Sequence, residues 1–327
     1  TNGNVLQKID WGEVFAVSDG SFTATGTDKS TENILYAIPT SGSVIGLPKS
    51  TMLLDQLGAT VRETKIYYDT LPLGSVIKGN TTKEERLVSG TTFVNTQKTY
   101  DPTYGVPITS TDANGNVTTY AYDTYRLYPV IVTNALAQHR DYIYDYAIGK
   151  PKQLTDENGF VYQTAYDAFG RVVSEKIPDL TGTYSPVLKS TYVYTDIPGA
   201  VAIQKTDFLD ATTSMDSYQY IDGFGRVIQT RKETEISGSY AVSDTIYNTR
   251  GLKDKESLPY ISPGSGRTSP TSTSALYTTY TYDPIGRVLT TVNSLGTTAT
   301  QYLLWSTLVT DPNGHQKQYH NDSRGNL

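Results

Sequence analysis

The sequence predicts an all-β protein built from repeated antiparallel β-hairpins, and three observations predict it. Tyr-Asp pairs begin at Tyr100, Tyr122, Tyr144 and Tyr166, each 22 residues after the last. Asp-x-x-Gly occurs ten times, beginning at Asp55, Asp112, Asp156, Asp167, Asp179, Asp196, Asp222, Asp283, Asp311 and Asp322. Tyrosine is abundant, at 27 residues against 7 Phe and 2 Trp, and it recurs as Tyr-x-Tyr.

The 22-residue spacing comes first, because a fixed period is the signature of stacked structural units. The block from Tyr100 aligns without a gap onto the block from Tyr144: Gly105 meets Gly149, Pro107 meets Pro151, Asp112 meets Asp156 and Gly115 meets Gly159. A third copy starts at Asp311, with Asn321-Asp322 standing where Tyr-Asp would fall. A unit of this length holds two strands of about six residues plus two turns, and leaves no room for a helix. The stretch TMLLDQLGA from Thr51 is the best helical exception.

The Asp-x-x-Gly excess has a turn explanation. Asp at the first position of a type I turn accepts backbone N–H groups, and Gly is favoured three residues later. In a three-residue hairpin loop that glycine is left-handed and opens a bulge. The turn residues expected to shape the fold are therefore Asp112 with Gly115, Asp156 with Gly159, Asp167 with Gly170, Asp222 with Gly225, Asp283 with Gly286, and Asp311 with Gly314. Pro284 and Pro312 take the second position, where their fixed φ suits the turn.

The flanks read as strands. Tyr120/Tyr122, Tyr142/Tyr144, Tyr192/Tyr194, Tyr218/Tyr220 and Tyr280/Tyr282 have period-two spacing, which sets each pair on one face. Arg and β-branched residues follow the turns, as in GRVV from Gly170, GRVI from Gly225 and GRVL from Gly286. Residues 261–275 read as an exposed Pro/Gly/Ser/Thr loop.

Composition excludes several classes. An apolar share of 37% is low for a globular domain, and a charged share of 18% is low for a disordered one. Tyr fits thin sheets with wetted faces, since its ring packs while its hydroxyl tolerates water. A net charge of −6 without a basic stripe argues against a nucleic-acid partner. No apolar run is long enough for a membrane helix. Cysteine is absent, so disulfides and thiolate chemistry are out. The polar start TNGNVLQ shows no signal peptide, and the close NDSRGNL reads as half a repeat. The chain is read as a segment of a longer polypeptide.

YDAFGRV at 166–172, IDGFGRV at 221–227 and YDPIGRV at 282–288 resemble the YD repeat of Rhs proteins. YDTYRLYP at 122–129 and YNTRGLKDKESLPY at 247–260 are similar to the B component of Tc-type toxin complexes. Related repeats occur in teneurins. The resemblance covers residues 66–327, with residues 1–65 a β-rich lead-in to the same sheet. It implies a spiralling, curved antiparallel sheet, one segment of a hollow shell that encapsulates a toxic C-terminal polypeptide. It further implies a secreted or surface-bound bacterial protein without enzymatic activity. The partners it implies are the remainder of the same polypeptide, the cargo and another toxin-complex subunit.

Catalytic and metal readings are weaker. Asp112, Asn114 and Asn116 have oxygen-ligand spacing, but the late Glu of a calcium loop is missing, and turns explain them better. Rhs cores end in a protease-like region cut at Asp-Pro-x-Gly-Leu, whereas Asp283-Pro284-Ile285-Gly286 is followed by Arg287 inside an ordinary repeat. His139, His315 and His320 form no known motif. The Gly-rich stretch at Gly264 lacks the lysine of a phosphate loop. No cofactor is expected. Arg171, Arg226 and Arg287 are expected to find cross-strand Asp or Tyr partners. The alternative function is a surface adhesin that binds a glycan or receptor through exposed Tyr-rich faces.

Overall fold

The computed structural model describes residues 3–41, 44–179, 185–268 and 275–321. Among these residues every regular element is a strand. The chain divides into two units, residues 1–144 with 154–160, and residues 145–153 with 161–327.

In the first unit ten strands pair antiparallel in chain order: Gln7–Asp10, Ser30–Tyr36, Pro48–Leu54, Thr60–Tyr68, Thr81–Ser89, Thr92–Tyr100, Pro107–Thr111, Val117–Tyr122, Pro129–Thr133 and His139–Asp145. Of the lead-in strands, Gln7–Asp10, Ser30–Tyr36, Pro48–Leu54 and the start of Thr60–Tyr68 belong to this sheet. TMLL of the helical exception lies in the strand Pro48–Leu54, and Asp55 begins the turn after it. Two small pairings stand aside: the hairpin Val14–Ala16 with Phe22–Ala24, and a parallel pair, Ile38–Pro39 with Ser75–Val76.

In the second unit the strands Val161–Tyr166, Val172–Pro178, Pro186–Thr195, Val201–Phe208, Ser214–Ile221, Val227–Glu233 and Ser239–Tyr247 again follow chain order. The ladder then forks. The end of Ser239–Tyr247 pairs with Lys253–Ser257, while its start pairs with Tyr260–Pro263. Lys253–Ser257 continues to Tyr277–Tyr282, Val288–Asn293, Gly296–Tyr302, Ser306–Thr310 and Gln316–His320.

A single sheet layer buries little, because neither face has a second layer to pack against. Most strand positions are accordingly half-exposed. The largest fully buried side chains are Arg231, Gln229, Val76, Val242, Asp244 and Ser190, and only two of these six are apolar. The expectation of an exposed loop at 261–275 holds for exposure at Gly264, Gly266, Arg267 and Thr268, and fails at its start, where Tyr260–Pro263 is a strand. The exposed loop also turns carbonyls and a hydroxyl inward, onto the buried side chain of Arg231. Sequence pattern could not reveal this, since Pro, Gly and Ser mark a turn but not what covers it.

Candidate functional site

A meander places alternate turns on opposite edges, and in each unit the two edges carry different chemistry. On one edge of the first unit lie the turns at 55–59, 112–116 and 134–138. On the other lie those at 36–48, 69–80, 101–106 and 123–128, each opened by a tyrosine: Tyr36, Tyr68, Tyr100 or Tyr122. In the second unit the tyrosine edge carries the turns after Tyr166, Tyr194, Tyr220, Tyr247, Tyr282 and Tyr302. Asp311 sits on the opposite edge. Asp-x-Asn-Gly and Tyr-Asp alternate along the chain because they serve opposite edges.

The five-residue turns share one geometry. Asp112 Oδ1 accepts the backbone N–H of Asn114 and of Asn116, both at 2.9 Å, while the Gly115 N–H donates to the Asp112 carbonyl at 3.1 Å. Asp156, Asp167, Asp222, Asp283 and Asp311 accept in the same way, with Gly159, Gly170, Gly225, Gly286 and Gly314 at positive φ. A residue added at Gly225 would meet open space and only backbone strain, whereas a Cβ at Gly170 would come within 2.8 Å of Ile148 Cγ2. Asn134 and Asn248 close identical turns with an amide oxygen, and Ala137 takes the glycine place at φ 61. The sequence reading missed both; Asn-x-x-Gly at Asn248 was the available signal. Among the described residues one Asp-x-x-Gly motif departs. Asp196 binds Arg171, and its turn is closed instead by the Ala200 N–H on the Ile197 carbonyl. Gly182 lies outside the described residues, as does the whole motif at Asp322.

The fifth residue uses the other carboxylate oxygen. Arg171, Arg226 and Arg287 place Nε at 2.7, 2.8 and 2.6 Å from Oδ2 of Asp167, Asp222 and Asp283. Asn116 and His315 do likewise toward Asp112 and Asp311. The calcium-like spacing is thereby used up within the turn. Side-chain and backbone bonds from Asn116 hold the Asp112 carboxyl below the usual range, and those from Arg226 do the same for Asp222. Each arginine thus pairs first with the aspartate of its own turn, and Arg171 adds the expected more distant carboxylate, Asp196, at 2.8 Å. Each guanidinium also reaches forward, over Tyr194 for Arg171 (4.2 Å), Tyr247 for Arg226 (4.0 Å) and Tyr302 for Arg287 (4.1 Å). Such stacking adds about 0.5–1 kcal/mol at exposed sites.

The tyrosines reach backward. Tyr36 donates its hydroxyl to the carbonyl of Val5, Tyr68 to Pro48, Tyr100 to Thr81, Tyr166 to Pro151, Tyr194 to Val172 and Tyr282 to Lys253, at 2.7–2.9 Å. In four of these the acceptor opens the strand that leaves an earlier turn on the same edge. Pro48, Thr81, Val172 and Lys253 each pair, across a bulge, with the tyrosine before that turn. Each such tyrosine therefore ties its turn to its predecessor, and each such bond contributes about 1 kcal/mol.

In three of the five Tyr-x-Tyr pairs the first tyrosine meets charge instead. Tyr192 donates to Glu175, Tyr280 to Glu256 and Tyr218 to Asp216. Burial, reinforced by these carboxylates, pushes their hydroxyls up to about 12.

Two clusters form where loops fold back on the sheet. In the first unit Ala37, Tyr68 and Val76 make a dry centre with Val44, Leu47 and Ile66. The Asp69 carboxylate holds that loop, accepting the N–H groups of Ile77, Lys78, Gly79 and Asn80 at 2.8–3.0 Å. In the second unit the centre is polar. Gln229 Nε2 donates to Asp244 Oδ1 at 2.6 Å and to the Thr268 carbonyl at 2.9 Å. Arg231 donates to Gln229 Oε1 at 3.0 Å, the Gly264 carbonyl at 2.6 Å and Thr268 Oγ1 at 2.7 Å. Tyr260 donates to Asp244 Oδ2 at 2.7 Å. No sequence motif announced this cluster.

A family model described as a domain of unknown function, DUF6443, matches residues 194–294, which contain the whole polar cluster. Among curated proteins none matches the sequence. Solved structures do match. The crystal structure of TcdB2-TccC3 is 16% identical with a TM-score of 0.76, covering 91% of this chain and 22% of that one. The crystal structure of TcdB2-TccC3-Cdc42 is 14% identical with a TM-score of 0.76, covering 91% and 24%. The Photorhabdus luminescens Tc holotoxin pore is 15% identical with a TM-score of 0.71, again covering 91% and 24%. This chain thus spans less than a quarter of the length of each. At such identities the likeness is one of fold, that of a long antiparallel β-sheet in chain order.

Proposed function

We propose that this chain is a wall segment of a YD-repeat β-shell that encloses a toxic polypeptide of a bacterial toxin outside the producing cell. The observation that carries the reading is the turn-to-turn linkage along one edge. Tyrosines tie back and arginines tie forward, so the aromatic content is used to build the sheet. None of the ten residues in the five strand pairs from Tyr120/Tyr122 to Tyr280/Tyr282 is among the exposed large side chains, whereas Tyr104, Tyr125 and Tyr146, in the turns, are. An adhesin binding through those pairs would need them free. The remainder of the polypeptide, the cargo and a second toxin-complex subunit are the partners this reading implies. The shell role is structural, with the turn residues Asp112 to Gly314 shaping the wall and no residue assigned to catalysis.

Small-angle X-ray scattering on the 327-residue chain tests the reading. A solid globule of this length has a radius of gyration of about 20 Å. A clearly larger value, with a distance distribution of a curved plate or hollow body, is expected. A value near that of the solid globule overturns the wall segment.

A further inference from the structure

One turn of the tyrosine edge breaks the pattern of its neighbours. After Tyr68 the turn runs from 69 to 80, and its first two residues are both left-handed, Asp69 at φ 54 and Thr70 at φ 61. A β-branched residue in that region is an outlier that persists only when its surroundings enforce it. Beside this turn lies a cleft of about 370 Å³, bounded on its far side by the next turn of the same edge, at Asp101 and Pro102. That volume is within the range of small-molecule sites. Departures from an otherwise regular repeat are expected where function is held.

The polar groups of the cleft are not equivalent. Asp69 is fully engaged by four backbone N–H groups, and Asp101 Oδ1 accepts from Thr103 and Tyr104 at 2.9 and 3.0 Å. Asp69 is committed to its turn, and Asp101 is shared between its turn and the Arg126 guanidinium, 4.0 Å from Oδ2, which does not suit a cation. The Asn80 side-chain amide, half-buried on the wall, takes no part in the bonds that fold the loop. Only its backbone N–H and carbonyl do, with Asp69. Lys78 Nζ spends one donor on the Pro102 carbonyl at 3.1 Å and has two left. Tyr100 has its hydroxyl tied to Thr81, so it offers the cleft only ring surface.

An amide that both donates and accepts, an ammonium donor and an aromatic ring describe a site for a neutral polyhydroxy ring. We propose that this cleft binds one hexopyranose unit of a glycan, with Asn80 bridging adjacent hydroxyls, Lys78 donating to a third oxygen and Tyr100 against the C–H face. The proposal is independent of the shell reading, since a wall segment with or without a cargo could carry it.

Saturation-transfer difference NMR on the full chain tests it, with methyl β-D-glucopyranoside, methyl β-D-galactopyranoside and methyl α-D-mannopyranoside as probes. Transfer to at least one probe is expected. Asn80→Ala should weaken it about tenfold, the scale of one hydrogen-bonding group lost from a polar site. Ile77→Trp, which fills the cleft from an exposed rim position, should abolish it with an unchanged melting temperature. Absence of transfer from all three probes, or transfer that survives Ile77→Trp, overturns the proposal.

Discussion

The clusters around Val76 and Arg231 solve one problem with opposite chemistry. A one-layer sheet cannot bury side chains unless a loop lies over it. In the first unit the loops at 37–47 and 70–79 do so with Ala37, Val44, Leu47 and Val76, leaving a dry centre. In the second, the loop at 263–268 offers mainly backbone carbonyls and a threonine hydroxyl, and the sheet answers with Arg231 and Gln229. The difference teaches that loop composition dictates what the sheet beneath must be. An apolar loop needs only contact. A Pro/Gly/Ser/Thr loop brings acceptors that must be met by donors when buried.

The largest effect is expected at Arg231. Arg231→Ala leaves the Gly264 carbonyl, Gln229 Oε1 and Thr268 Oγ1 without that donor and opens a cavity in a buried site, and should cost about 3–5 kcal/mol in urea denaturation. Arg231→Met restores most of the volume but none of the donors, and should recover less than half of the loss. Full recovery by methionine would mean that the cluster is held by packing, like its dry counterpart.

Val76→Ala removes two buried carbons from the dry centre and should cost about 2 kcal/mol. Val76→Thr keeps the shape while adding a hydroxyl with no partner, and should be worse than alanine. If threonine is the milder change, water reaches Val76 and the contrast between the clusters fails.

A smaller effect is expected along the tyrosine edge. Tyr194→Phe keeps the ring under Arg171 but frees the Val172 carbonyl, for about 1 kcal/mol by the same denaturation. A null result would assign the linkage to ring stacking alone.

The smallest effect is local and depends on pH. Burial raises the Asp69 carboxyl, but the four backbone donors, led by Gly79, outweigh it and hold the group below its ordinary value. A depressed folded-state value contributes stability that is present above the unfolded value of about 3.9 and lost as pH falls through the folded one. The Gly79 amide resonance should therefore stay constant from neutral pH to about 5 and move only below about 4. Movement near neutral pH would show that the carboxylate is not what anchors the loop.

Local rules carried much of this fold from the sequence. Asp-x-x-Gly encodes a turn through contacts within five residues, so Asp112, Asp156, Asp167, Asp222, Asp283 and Asp311 could be read without knowing any neighbour. Period-two tyrosines encode a strand face for the same reason. The stretch from Tyr36 to Asn80 resisted more, because its tyrosine turns after Tyr36 and Tyr68 are long loops without the Asp-x-x-Gly that marks the motif.

Which edge each motif occupies was decided by strand order, because a turn alternates sides only once its strands are paired. The targets of the tyrosine hydroxyls were decided there too, since Val172 lies 22 residues from Tyr194 in sequence and within 2.9 Å in space. Composition alone set the scarcity of apolar side chains, and hence a thin sheet. Only the tertiary structure decided that Arg231 would be among the most buried side chains, because burial of its charge depends on a loop whose carbonyl and hydroxyl arrive from more than thirty residues away.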